Sequence, residues 1–138
     1  MQASPLVDDC YCFAIRQAAR KITAVYDNAL APVQLTSPQF GILALLQANP
    51  GASLQDLAAA LRSDRTTTLR AVMVLEKNGL IAALPRVRAK EKLSLSLTVD
   101  GAARLEVAHP LWLAAQQQFE GECGAEKAGR LRASLRHL

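Results

Sequence analysis

Two helix-start signals, eleven residues apart, constrain the middle of this chain more than any other feature. Ser53 is followed three residues later by Asp56, which is the spacing of a capping box, and Asp64 supplies a second capping side chain. Gly79 tolerates the left-handed backbone that often ends a helix. The sequence therefore predicts two short helices joined by a tight turn at residues 62–64.

Strand patterns follow the second of these helices. Leu80 and Ile81 begin one strand, and a second is predicted where leucines alternate with serines, at Leu93, Ser94, Leu95, Ser96 and Leu97. Residues 85–90 form a basic hairpin tip between them. A helix-turn-helix followed by such a hairpin is a winged helix-turn-helix, which we expect over residues 35–97.

A long helix and a buried helix are predicted ahead of this unit. Apolar residues recur every three or four positions between Asp9 and Leu30, which indicates one helix with an apolar stripe, and Pro32 ends it. Thr36 supplies the hydroxyl group that starts the next helix. That helix is apolar almost all round, so we expect it to be buried on several sides.

Two more helices are predicted after the hairpin. Thr98 starts a long helix that Pro110 should kink, and Gly121 and Gly124 break the chain before a last helix. A single chain of 138 residues does not need the apolar stripes of the first and the last two helices for its own core. We therefore expect a homodimer, in which residues 9–34 and 98–138 form the helical dimerisation region. The predicted fold class is mainly α with a small β-hairpin wing.

Composition argues against several classes of protein. Apolar residues make up 51% of the chain and charged residues 20%, a mix that can bury a core. No apolar run approaches the roughly 18 residues of a membrane span, and residues 1–9 lack the pattern of a signal peptide. Three cysteines and two histidines form no metal-ligand pattern. We expect a cytoplasmic protein with no membrane, metal or cofactor.

The positive charge is concentrated in the centre of the chain. Residues 53–92 hold eight basic and four acidic side chains, whereas the remainder holds eight of each, so this segment accounts for the net charge of +4. Such a distribution is typical of a surface that binds a polyanion. The second helix of a helix-turn-helix enters the DNA major groove. The sequence thus predicts binding to double-stranded DNA.

The candidate DNA-binding residues lie at the starts of the two short helices. Arg65 is long enough to pair with a guanine edge, and Arg70 can clamp a phosphate. Thr66 and Thr67 can donate to a phosphate or contact a thymine methyl group. We expect Leu69, Val72 and Leu75 to pack inward. The helical candidates are Ser53, Gln55, Ser63, Asp64, Arg65, Thr66, Thr67, Thr68 and Arg70.

The hairpin tip carries a second basic cluster. Arg86, Arg88 and Lys90 occupy every second position, so in a strand their side chains would point the same way. We expect this wing to lie against the minor groove or its phosphates. The alternative is a charged hairpin that only keeps the protein in solution.

Four segments of the chain match one family pattern in order and spacing. They read LTSPQF at residues 35–40, DRTTTLR at 64–70, LEKNGLI at 75–81 and LTVDG at 97–101. Together they resemble the MarR family of transcriptional regulators over nearly the whole chain. The resemblance implies a dimer on a pseudo-palindromic operator, with repression as the commoner role. The wing tip departs from the pattern, because Ala89, Lys90 and Glu91 stand where members usually have an acid followed by arginines.

The resemblance implies two ways of releasing DNA. Many members lose DNA affinity when a small aromatic or phenolic anion enters the crevice between the dimer helices and the wing lobe. Arg16 and Arg20 form a candidate effector-binding pair, with ion pairing across the dimer as the alternative. The segment from Cys12 to Ile15 resembles the reactive-cysteine segment of the organic-hydroperoxide-sensing branch, in which Tyr26 would bond the thiol. Ser37 replaces a second tyrosine of that branch, and an unreactive apolar filler is the alternative role of Cys12.

Two other classes of function remain as alternatives. The first is a thiol-based, peroxide-reactive enzyme that uses Cys12, although the chain has no glycine-rich phosphate loop or acid pair. The second is a winged helix that contacts only proteins, whose basic surplus would be incidental. We expect a regulator and not an enzyme.

Overall fold

The computed structural model describes residues 1–86, 88 and 90–138, which form a mainly helical fold with one small hairpin. A 3-10 turn at Ala31–Val33 separates the second and third helices. The elements are α1 Pro5–Asp8, α2 Tyr11–Leu30, α3 Ser37–Ala48, α4 Leu54–Leu61, α5 Arg65–Lys77, β1 Ile81–Ala83, β2 Leu95–Leu97, α6 Val99–Cys123 and α7 Ala125–Arg136. The predicted fold class is confirmed.

The N-terminal segment differs from the single helix that we predicted from Asp9. Pro5 opens the short α1, and Cys10 then adopts an extended backbone, with φ −89° and ψ 117°, before α2 begins at Tyr11. The apolar stripe used for the prediction starts only at Ile15, so it did not define the first turn. The predicted end is confirmed, because α2 stops at Leu30 and Pro32 lies in the 3-10 turn.

Side-chain caps set the starts of four helices. The oxygens of Thr36, Ser53, Asp64 and Thr98 each accept a hydrogen bond from the backbone N–H three residues on. The capping box at Ser53 is complete, since the Asp56 carboxylate accepts from the Ser53 backbone N–H at 2.8 Å. It also accepts from the Ser53 hydroxyl, and these two bonds lower the pKa of Asp56. Each cap satisfies a backbone donor that has no partner within its helix.

The core lies between α3, the helix-turn-helix and the first half of α6. As predicted, α3 is buried on several sides, and Ile42, Leu43 and Leu46 are almost wholly enclosed. The core side chains that pack around them are Leu30, Leu35, Leu57, Val72, Leu75, Leu80, Ile81, Leu95, Leu105 and Ala108. Through this shared core, α4 and α5 pack on α3, which in turn packs on α6.

The hairpin is tied to both neighbouring helices. Its strands pair antiparallel, with Ile81 opposite Leu97, and Leu95 donates its N–H to the Ala52 carbonyl just before α4. The Thr98 hydroxyl donates to the Gly79 carbonyl at 2.6 Å. A Cβ atom on Gly101 would lie 1.9 Å from the Leu80 carbonyl oxygen, so only glycine permits this approach of α6. The hairpin base is therefore fixed.

One of the two predicted breaks between the C-terminal helices, the break at Gly121, does not occur. Pro110 lies inside α6, as predicted, but the helix continues through Gly121 to Cys123 and ends at Gly124, whose φ is 91°. Glycine inside a helix costs about 1 kcal/mol, which packing readily overcomes. A positive φ at Gly124 reverses the chain, so α7 returns along α6.

No helix among the described residues is both long and apolar enough to cross a membrane by itself. The segments Tyr11–Val33 and Ser37–Ala48 are long and apolar enough for a membrane span only when they are taken together, and the angle between them is 71°. The second of these segments is the buried core helix α3.

Candidate nucleic-acid interface

The turn between α4 and α5 is made tight by a left-handed residue. Arg62 ends α4 with φ 49° and ψ 39°, and its backbone N–H donates to the Ala59 carbonyl. Ser63 then donates its N–H to the Ala58 carbonyl at 3.0 Å. The chain leaves α4 and starts α5 within three residues, as in the predicted helix-turn-helix.

Asp64 organises the first turn of α5. Its carboxylate accepts the Thr67 backbone N–H and the Thr67 hydroxyl, both at 2.7 Å. These hydrogen bonds hold the pKa of Asp64 below its usual value. Asp64 and Thr67 are both exposed, but their side chains are already paired with each other. They shape the end of the helix that presents Arg65 and Thr66.

The outward surface of α5 is polar at its start. Arg65, Thr66 and Arg70 are all exposed there, and Gln55 is exposed on α4. Ser63 is half-buried in the turn. The structure therefore leaves these five predicted residues accessible on the helix-turn-helix.

Two predicted contact residues point into the protein instead. Thr68 is 2% exposed, and its hydroxyl donates to the Asp64 carbonyl at 3.0 Å. Ser53 is 6% exposed, with its hydroxyl bonded to Asp56. Conversely, Leu69, which we expected to pack inward, is 41% exposed. The packing of α5 on the core makes Thr68, Val72 and Leu75 its buried stripe.

The predicted strand alternation at the wing tip is wrong. Arg86, Arg88 and Lys90 lie outside the two short strands, and the Glu91 backbone N–H donates to the Arg88 carbonyl at 3.1 Å. An Arg86 guanidinium nitrogen lies 3.5 Å from the Glu91 carbonyl oxygen, to which it donates. All three basic side chains are nevertheless exposed. Ala89, where family members usually carry an acid, lies outside the described residues.

Arg16 and Arg20 lie together, as predicted, but in a shallow surface groove on α2 that Thr23 and Asp27 also line. Within this groove Asp27 accepts the Ser37 backbone N–H at 2.7 Å. The groove is formed by one helix face only. This geometry gives the pair no enclosed apolar surface for an aromatic ring.

A cavity of about 450 Å³ lies between α2, α6 and α7 and was not predicted. Phe119, Leu131 and Leu135 form much of its apolar wall, and the Arg62, Arg132 and Arg136 side chains line it as well. The feature of the sequence that relates to this cavity is the apolar stripe of α7, which we had assigned wholly to the dimer interface. The Arg62 guanidinium also donates to the Leu138 carbonyl at 3.1 Å, so the turn of the helix-turn-helix touches the C-terminal segment.

Tyr26 lines the same cavity and donates its hydroxyl hydrogen bond to Gln116 Oε1. Burial, and then the charge of Glu120, raise the pKa of Tyr26. Cys12 lies fourteen residues earlier on α2, about 21 Å along the helix axis, so the two do not meet within one chain. Cys10, Cys12 and Cys123 are unbonded thiols. Within the described part of the chain, no cluster of three metal-ligating side chains occurs.

Capped helices, a tight turn and a two-stranded hairpin define a winged helix-turn-helix protein. A family profile described as winged helix-turn-helix DNA-binding matches residues 36–82. The repressor NicR of Pseudomonas putida is 31% identical over 121 residues, which cover 88% of this chain and 75% of NicR. The regulator YybA of Bacillus subtilis is 32% identical over 87 residues, and the match spans 63% of this chain but only 58% of YybA.

Solved structures agree over a longer span. The repressor CouR bound to a 23-mer DNA duplex superposes with a TM-score of 0.86 at 25% identity, covering 99% of this chain and 98% of CouR. CouR bound to p-coumaroyl-CoA gives the same TM-score at 27% identity, covering 99% of this chain and 96% of that one. The chain belongs to the MarR family of transcriptional regulators.

Proposed function

We propose that this protein is a sequence-specific DNA-binding regulator that represses transcription as a homodimer. The observation that carries the proposal is the exposed start of α5, where a rigid cap presents Arg65, Thr66 and Arg70. The basic tip residues Arg86, Arg88 and Lys90 are exposed beyond the same unit. NicR is named as a repressor, which supports that direction of regulation.

The contacts divide by chemistry. Arg65 would pair with a guanine edge in the major groove, and Arg70 would bind a phosphate. Thr66, Gln55 and Ser63 would donate to phosphates or base edges. Arg86, Arg88 and Lys90 would contact the minor groove or its phosphates. Thr68 and Ser53 are left out of this set because they are buried, and Asp64 and Thr67 act by holding the helix end.

A homodimer is supported by apolar side chains that the chain leaves uncovered. Tyr11, Phe13 and Ile15 are exposed on the first half of α2. Clusters of exposed apolar residues usually mark an interface. A two-fold dimer would place two α5 helices in successive major grooves of a pseudo-palindrome.

Release by a small aromatic anion is the favoured mode of regulation. The cavity beside Tyr26 offers Phe119 and Leu131 to a ring, and Arg132 and Arg136 to an anion. Because Arg62 lines the cavity and ends α4, a ligand there would act on the turn before α5. CouR has been solved with p-coumaroyl-CoA, a larger anion that carries a phenolic ring. Oxidation of Cys12 remains the second hypothesis and would require Tyr26 of a second copy.

One experiment distinguishes the two candidate effector sites, the cavity beside Tyr26 and the Arg16–Arg20 groove. We would titrate a protein–DNA complex with p-coumarate and with p-coumaroyl-CoA and follow release of the DNA. Arg132→Ala should raise the concentration needed for release, whereas Arg16→Ala should not. The opposite ranking would assign the effector to the groove, and no release by either compound would reject these ligands.

The DNA-binding proposal is tested by selection from random duplexes. Purified protein should enrich a pseudo-palindrome and bind it more tightly than a scrambled duplex. A folded protein that enriches no sequence would reject the proposal.

Turnover of excess cumene hydroperoxide with a thiol reductant would support the enzyme alternative, and we expect none.

A further inference from the structure

Apolar side chains stand within the polar outer surface of α5. Leu69 is 41% exposed and Met73 is 59% exposed, and both lie on the helix that would enter the major groove. A single exposed leucine is ordinary on a protein surface. Its position makes Leu69 informative, because it directly precedes Arg70 within the proposed DNA-contacting residues.

The helix geometry places Leu69 beside the base-reading residues. Leu69 follows Arg65 by four positions and Thr66 by three, so these side chains are neighbours on one face of α5. The adjacent residue Thr68 is buried against the core, and its burial fixes the rotation of the helix. Leu69 therefore cannot turn into the core without displacing Thr68.

The major groove offers one apolar feature to such a side chain. Thymine carries a C5-methyl group there, whereas the other base edges present hydrogen-bond donors and acceptors. Leucine has no polar atom, so covering one of those other edges would remove its water without replacing the hydrogen bond. A thymine methyl group is thus the favourable partner.

We infer that Leu69 is a specificity-determining residue that packs on the 5-methyl group of a thymine. The inference rests on the proposed DNA-binding function and extends it to one base. One helix turn rises about 5.4 Å, against about 3.4 Å per base pair, so this thymine lies within about two base pairs of the one that Arg65 reads.

The test removes single methyl groups from the DNA. Each thymine in one half-site of the selected operator is replaced in turn by deoxyuridine, which keeps base pairing and loses only the methyl group. One such replacement should weaken wild-type binding about fourfold, the value of one buried methyl-sized group. Leu69→Ala should bind the two DNAs about equally, while Leu69→Met, which conserves volume, should restore the difference.

The outcomes separate this inference from the proposed function. Selective binding that no deoxyuridine replacement changes would overturn the role of Leu69 and leave the regulator intact. A Leu69→Ala protein that keeps the full methyl sensitivity would also overturn it. A folded wild-type protein that selects no DNA would overturn both. Thermal unfolding of each variant establishes that it is folded.

Discussion

At the residue scale, Arg65 and Arg70 are both exposed on α5, but their expected roles differ. Arg65→Ala should cost about 1–3 kcal/mol of binding free energy on the selected operator and relax discrimination at one base pair. Arg70→Ala should weaken binding to all sequences and lower the salt dependence by about one phosphate contact. Affinities for the operator and for single-base variants measure both effects. Equal, non-selective losses would refute this division of roles.

The cap at Asp64 predicts a dependence of stability on pH. The pKa of Asp64 is lowered in the folded protein by the hydrogen bonds from Thr67, below its ordinary value of 3.8. Its contribution to the free energy of unfolding is therefore complete above that value and is lost as the pH falls through the lower, folded-state pKa. Asp64→Ala should be less stable than the wild type near neutral pH, and the difference should shrink in acid.

Urea unfolding of both proteins from about pH 7 to below 3.8 measures this change. Asp64→Asn is the matched control, because asparagine is an equally good N-cap without a titrating charge. A constant difference between wild type and Asp64→Ala at all pH values would contradict the assignment.

The sequence predicted the caps at single-residue accuracy but not the phase of α5. Capping depends on neighbouring residues alone, so Ser53, Asp64 and Thr98 could be read directly. Leu69 and Thr68 both fit a helical stripe with Val72 and Leu75, and leucine was taken as the apolar member. Only the packing of α5 on the core decides that Thr68 is inside.

At the element scale, the approach of α6 to Leu80, just before β1, depends on the absence of a side chain at Gly101. Gly101→Ala would bring a Cβ atom to 1.9 Å from the Leu80 carbonyl oxygen and force α6 away from the hairpin base. Overpacking of this kind typically costs about 1–3 kcal/mol, and a backbone clash places it at the upper end. Urea unfolding measures the loss.

Gly121→Ala is the control within the same helix. A Cβ atom there would meet nothing within 4 Å, and the residue lies inside α6. Replacing it with alanine should stabilise the protein by about 0.5–1 kcal/mol. Similar effects of the two substitutions would show that the Gly101 contact does not position α6.

The hairpin shows where the sequence stops being informative at this scale. Alternation at Leu95 and Leu97 predicted the strand correctly, because one face packs on the core. The alternating charges at Arg86, Arg88 and Lys90 are all exposed and lie outside both strands. Leu93 likewise lies outside β2 and is exposed.

At the scale of the whole molecule, the exposed apolar side chains on α2 predict a dimer. Phe13→Ser with Ile15→Ser should favour the monomer, because both side chains are exposed in the single chain and would lose burial in the dimer. Sedimentation velocity measures the association. The isolated fold should survive, since neither residue contributes to the core. A variant that remains as dimeric as the wild type would place the interface elsewhere.

The cavity between α2, α6 and α7 could not be predicted from the sequence. Its lining comes from α2, α6, α7 and the end of α4, so it depends on how distant segments pack. The stripe of α7 was visible, but periodicity does not distinguish a cavity wall from a subunit seam.

The most direct test of the central claim is the salt dependence of DNA binding. Affinities for the selected operator and for a scrambled duplex would be measured between about 50 and 200 mM salt. We predict a clear preference for the operator and a steep loss of affinity with salt, as expected when several phosphates are neutralised. No binding at low salt by a folded dimer, or equal binding to both duplexes, would contradict the account.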